Sequence, residues 1–166
     1  MIMKNDDILQ LADEAMQLEY NVSKLYMVFR DSHPEDAEFW WHLIIEEGNH
    51  AALVKSGIES FMPKDLFPNE IFPSMDELQK TNRRLVSLLE KYTNHPPSRE
   101  IGFNLALEIE MSAAEIHFQN TMTKSTDSDV LKLFKKLNQD DKDHAKRIRG
   151  YMKKEGILES DCNSKD

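Results

Sequence analysis

Apolar residues along most of this chain recur every three or four positions, the period of a helix that buries one face. Between about residues 5 and 29 the stripe is Ile8, Leu11, Ala12, Ala15, Leu18, Val22, Leu25, Tyr26 and Phe29, and Glu19 sits in the middle of it. A short polar turn over residues 31–36 follows, with Pro34 suited to a first helical turn. The spacing then predicts a second helix over roughly 34–61, with Trp40, Leu43, Ile44, Ala51 and Val54 facing inward. Glu47 and His50 share that inward face, one helical turn apart, so both reach a common point. Glu46 is rotated away from the stripe and reads as solvated.

Prolines break the pattern over residues 62–73, where Phe67, Ile71 and Phe72 remain as apolar anchors for a crossover. Ser74-Met75-Asp76-Glu77 has the form of a capping box and predicts an extra helix over about 74–93, with Leu78, Leu85, Leu88, Leu89 and Tyr92 as its stripe. That stripe holds no acid or histidine, so packing or a subunit contact is its expected role. A further helix is expected over 98–124, carrying Phe103, Ala106, Leu107, Glu110, Ala113, Ala114 and His117 on one face. The last follows a cap at 125–127 and runs to about residue 155, with Val130, Leu133, Phe134, Leu137, Asp141, His144, Ala145, Ile148, Tyr151 and Met152 inward. Gly156 followed by Ile157 fits a Schellman stop. Residues 1–158 thus read as one domain, an all-α antiparallel four-helix bundle with a long crossover and an extra helix, and 159–166 as a disordered polar tail.

Composition narrows the partners. A net charge of −9 and a pI near 5.2 disfavour nucleic acid and anionic membranes and favour cations. The single cysteine, Cys162, can build neither an internal disulfide nor a cysteine metal site. No stretch has the length of a membrane span and the acidic N-terminus does not resemble a signal peptide, so a cytoplasmic location is expected.

The chemistry lies in a repeat. Laying the first long helix over the third with Glu19 on Glu110 brings Ala15 onto Ala106 and Val22 onto Ala113. Laying the second over the fourth with Glu47 on Asp141 brings Trp40 onto Phe134, His50 onto His144 and Val54 onto Ile148. Two copies of one helical hairpin each bring two carboxylates and one imidazole to a core face. Six such groups without a cation would repel one another and shift their pKa values until some protonated. Two metal ions remove that conflict, and mostly oxygen ligands with one imidazole per ion suit iron or manganese, with zinc able to occupy the same site. The expected ligands are therefore Glu19, Glu47, His50, Glu110, Asp141 and His144. His117, Trp40, Trp41 and the methionines read as core, and His33, His42 and His95 as surface.

A Glu from each of two helices and an acid-x-x-His pair from each of two others resembles the ferritin-like superfamily, and within it the rubrerythrin-like di-iron proteins. The resemblance covers about residues 8–155. It implies a di-iron centre that reacts with dioxygen or peroxide, and it gives Tyr26 the place of a tyrosine that hydrogen-bonds a ligand carboxylate. The last helix departs from the pattern with Asp141 where Glu is usual, shorter by one methylene. The four-cysteine electron-donor domain of rubrerythrins is absent, so an external reductant is implied. A homodimer is the expected assembly. Three functions compete at this stage: an oxidoreductase that consumes peroxide or oxidises ferrous iron, an iron storage or delivery protein, and a structural bundle without turnover.

Overall fold

A computed structural model of the chain describes residues 5–64, 72–112 and 144–160. All regular structure among these residues is helical: α1 Asn5–Ser32, a 3₁₀ turn Pro34–Asp36, α2 Ala37–Phe61, a second 3₁₀ turn Met62–Lys64, α3 Met75–Asn94, α4 Arg99–Glu110 and α5 His144–Glu155. The all-α class expected from periodicity is therefore observed. No described helix is long and apolar enough to cross a membrane.

Helix α1 is the spine, because its wide apolar face packs against both α2 and α3, while α4 pairs with α5. All nine apolar residues of its expected stripe, Ile8 through Phe29, are buried. From α2 the buried set is Trp40, Leu43, Ile44, Ala51 and Val54, as the spacing predicts. An aromatic cluster closes one end of this core. Trp40 lies 5.4 Å from Tyr26, 5.2 Å from Phe29 and 4.5 Å from Phe103 between ring centroids, which ties α1, α2 and α4 together.

The termini of the helices follow local chemistry. At α3 the Ser74 side chain accepts from the Glu77 amide while the Glu77 carboxylate accepts from the Ser74 amide, the reciprocal capping box. Ser98 caps α4 one way only, its side chain accepting from the Ile101 amide. At the end of α5, Gly156 takes φ 69° and the Ile157 amide reaches back to the Met152 carbonyl at 2.9 Å, completing the Schellman turn. Beyond it the chain stays docked through Ser160. Asn104 donates to the Leu158 carbonyl and accepts from the Ser160 amide and hydroxyl.

One boundary differs from the expectation. Within the helix expected over 98–124, α4 stops at Glu110, where Met111 adopts φ −91°, ψ 7° and the Ser112 amide bonds to the Ile109 carbonyl three residues back; residues 113–124 of that span lie outside the described residues. No glycine or proline marks this stop, so the sequence carries no signal for it. The expected inward residues Ala113, Ala114, His117, Val130, Leu133, Phe134, Leu137 and Asp141 lie outside the described residues, as do the crossover anchors Phe67 and Ile71.

An ion-pair clasp holds the α1–α2 turn to both later helices. Asp36 is fully buried, and Arg99 forks onto it through Nε at 2.7 Å and Nη2 at 2.5 Å. Tyr151 Oη donates to the same carboxylate at 2.9 Å. The clasp raises the Arg99 pKa through its hydrogen bonds to Asp36, and burial together with the Asp36 contact pushes Tyr151 up to about 12. The starts of α2 and α4 and the Tyr151 side chain of α5 therefore meet on one carboxylate, which fixes how α4 and α5 present their residues to α2.

Candidate metal centre

Four helices each deliver polar side chains to one buried region. Glu19 comes from the middle of α1, Glu47 and His50 from one face of α2, Glu110 from the last residue of α4 and His144 from α5. All five are buried, none more than 7% exposed. These are five of the six residues that the sequence singles out as ligands; the sixth, Asp141, lies outside the described residues.

Distances resolve the cluster into two triads. In the first, His50 Nδ1 lies 3.1 Å from Glu47 Oε2 and 3.6 Å from Glu19 Oε2. In the second, His144 Nδ1 lies 3.1 Å from Glu47 Oε1 and 3.3 Å from Glu110 Oε2. Within each triad the three donor atoms lie within 4.8 Å of one another, close enough to hold one metal ion. Glu47 divides its two oxygens between the triads. The two imidazoles stand 5.7 Å apart and nearly parallel. The α2 carboxylate thus serves both groups.

The electrostatics are those of a site short of positive charge. Burial pushes the Glu19 carboxyl up to about 7 against the pull of His50, with Glu47 adding to the rise. Burial also acts to raise Glu47, but the two imidazoles, His144 first, outweigh it and hold this carboxylate well below its usual range. Among the described residues no donor hydrogen-bonds to the buried Glu19 Oε2 and Glu47 Oε1; their imidazole neighbours are charge contacts without hydrogen-bond geometry. Buried carboxylate lone pairs without donors are costly unless a cation takes them. The donor set therefore fits divalent metal ions on chemistry as well as on distance.

Tyr26 reaches one carboxylate of this cluster. Its hydroxyl donates to Glu110 Oε1 at 2.5 Å, and its ring is fully buried. This leaves Glu110 Oε2 to face His144.

Glu46 departs from its expected role. It is half-buried rather than solvated, with Oε2 3.1 Å from His144 Nε2 and 2.6 Å from Arg147 Nη1. Burial works against its ionisation, but contacts to His144 and Arg147 lower its pKa overall. Helical phase places Glu46 correctly off the α2 stripe; it does not show that α5 packs beside that flank. His33, expected at the surface, is also half-buried, with Nε2 3.0 Å from the Pro97 carbonyl.

Comparison of the chain with protein-family models, with curated proteins and with solved structures finds no match.

Proposed function

We propose that this protein binds two metal ions, one in each triad, and works as a di-iron carboxylate oxidoreductase of rubrerythrin type that oxidises ferrous iron or reduces peroxide with electrons from an external donor. The observation that carries the reading is the division of Glu47 between two buried acid–imidazole triads. A residue that only neutralised one histidine would leave its second oxygen to water or an amide; Glu47 turns Oε1 and Oε2 toward separate imidazoles.

Glu19 and His50 would hold the first ion, Glu110 and His144 the second, and Glu47 both. Iron in such a site supplies one-electron redox chemistry that the side chains lack. The chain's own groups do the rest. Tyr26 holds Glu110 in orientation, and the buried aromatic cluster of Tyr26, Phe29, Trp40 and Phe103 keeps water from that side. The ferritin-like four-helix architecture and a cytoplasmic homodimer belong to the same proposal.

The test is metal analysis of protein purified without a nickel column, followed by anaerobic Fe²⁺ titration and the optical response to oxygen and peroxide. Two ions per chain are expected. Glu47→Ala should abolish tight binding at both positions while the helical circular dichroism persists. Unchanged metal content in that variant refutes the assignment of the ligands. Two tightly held ions with neither ferrous oxidation nor peroxide consumption would leave a binding protein rather than an enzyme.

A further inference from the structure

Two tyrosine hydroxyls sit at opposite ends of one run of touching rings. Tyr26 Oη donates to Glu110 Oε1 at 2.5 Å inside the candidate centre, and Tyr151 Oη donates to Asp36 Oδ1 at 2.9 Å in the clasp. Between them stands Trp40, 5.4 Å from Tyr26. From Trp40 the rings continue to Tyr151 through Phe103, at 4.5 and 5.5 Å, and through Phe39, at 5.4 and 4.2 Å between centroids. Tyr26, Trp40 and Phe103 are fully buried, whereas Tyr151 is half-buried and meets the surface beside the exposed Lys154, whose Nζ lies 5.8 Å from its ring. Filling this volume requires apolar bulk, which Phe or Leu would supply without a buried polar atom to satisfy. The chain instead sets its oxidisable rings in series and puts a carboxylate on each phenol. Trp40 differs from the two tyrosines, because its buried Nε1 has no hydrogen-bond acceptor among the described residues.

We propose that Tyr151, Trp40 and Tyr26 form an electron path from the surface at the clasp to the buried centre, with Tyr151 as its entry. The inference rests on the metal-binding reading above and gives the external donor of that reading a place to act. A phenol that gives up an electron becomes a strong acid, so tyrosine serves such a path where its proton has an acceptor. Both ends meet that condition. When Tyr26 yields one electron to a peroxide-derived one-electron oxidant at the triads, its proton passes to Glu110 Oε1. An electron from Trp40 and the return of that proton restore Tyr26. The oxidised indole keeps its N–H proton for want of an acceptor and is refilled from Tyr151, whose proton moves to Asp36 Oδ1. The Arg99 fork keeps that carboxylate aimed at the phenol. A one-electron reductant at the surface then restores Tyr151, and the proton comes back from Asp36. One electron has crossed inward and no proton has left the protein.

Photo-oxidation of the metal-free full chain tests the path by itself. Aminotyrosine in place of Tyr26 serves as the trap, since its radical forms more easily than that of tyrosine or tryptophan. Tris(bipyridine)ruthenium(III), made by a laser flash with a cobalt(III) quencher, oxidises the protein from solvent. Tyr20→Phe and Trp41→Phe are present throughout, because both rings are nearly half exposed and would otherwise compete. The trap radical should appear in a fast phase of transient absorption and be identified by electron paramagnetic resonance. Trp40→Phe and Tyr151→Phe should each lose that phase while the helical circular dichroism persists. Arg99→Lys, which loosens the same clasp but removes no oxidisable ring, should retain it. A fast phase undiminished in Trp40→Phe or Tyr151→Phe overturns this inference. So does a loss in Arg99→Lys equal to that in Tyr151→Phe, which would make the effect one of packing. Either result leaves the metal reading standing, because the photochemistry uses no metal. A wild-type chain that takes up no Fe²⁺ removes the centre the path serves and overturns both.

Discussion

Replacing Tyr26 by Phe removes one oxygen from the core and nothing else. The ring stays among Phe29 and Trp40, at centroid distances of 6.2 and 5.4 Å, so no cavity larger than a hydroxyl opens. What is lost is a donor to a carboxylate that is itself 3% exposed. Hydrogen bonds to charged groups contribute about 1.5–3 kcal/mol, and a buried acceptor left short of a donor retains its full desolvation cost. The metal-free variant should therefore be about 2 kcal/mol less stable at pH 7. For a chain of this size that corresponds to a melting temperature about 4–8 °C lower. Urea denaturation of chelator-treated protein measures the first quantity and calorimetry the second. Zn²⁺ loading should narrow the gap, since a cation beside Glu110 replaces the missing donor in compensating its charge. A loss below about 0.5 kcal/mol without metal would show that the hydroxyl does not hold the carboxylate, because that is the scatter of neutral surface changes. So would the absence of coupling in a Tyr26→Phe, Glu110→Gln double-mutant cycle.

Two further changes separate the charge balance of the centre from that of the clasp. With its carboxyl raised from 4.5 to about 7, Glu19 favours the metal-free fold fully below pH 4.5, and this contribution, about 3 kcal/mol, is lost as pH rises through 7. Glu47, depressed instead, favours the fold above pH 4.5 and loses that contribution only in acid, outside this window. Metal-free wild type should accordingly lose stability between pH 5 and 7.5 more steeply than Glu19→Gln, and parallel pH curves in urea denaturation would refute the assignment. Arg99→Met leaves the buried Asp36 carboxylate with the Tyr151 hydroxyl as its side-chain donor among the described residues; because Arg99 is 28% exposed the loss should sit near the low end of the range for broken buried pairs, about 3 kcal/mol, with much of it restored by adding Asp36→Asn. Wild-type stability in the single variant would mean that the fork contributes little to holding α4 against the α1–α2 turn.

Local periodicity carries the helices of this protein and their inward faces, because burial of one stripe is a property of spacing along the chain. Ile8 to Phe29 on α1, Trp40 to Val54 on α2, the Ser74–Glu77 capping box and the Gly156 turn all follow from interactions within a few residues. The same local logic puts Glu19, Glu47, His50, Glu110 and His144 on apolar faces, where an ionisable group demands a partner. What spacing cannot express is which side chain of one helix meets which of another. The sharing of Glu47 between two triads and the approach of Glu46 to His144 and Arg147 each depend on residues brought together from separate helices. Helical phase sets the direction of a side chain from its own axis, but solvent or a neighbouring helix in that direction is decided by packing. That is why Glu46 read as a surface residue in the sequence and became a contact of the candidate centre only once α5 lay beside it.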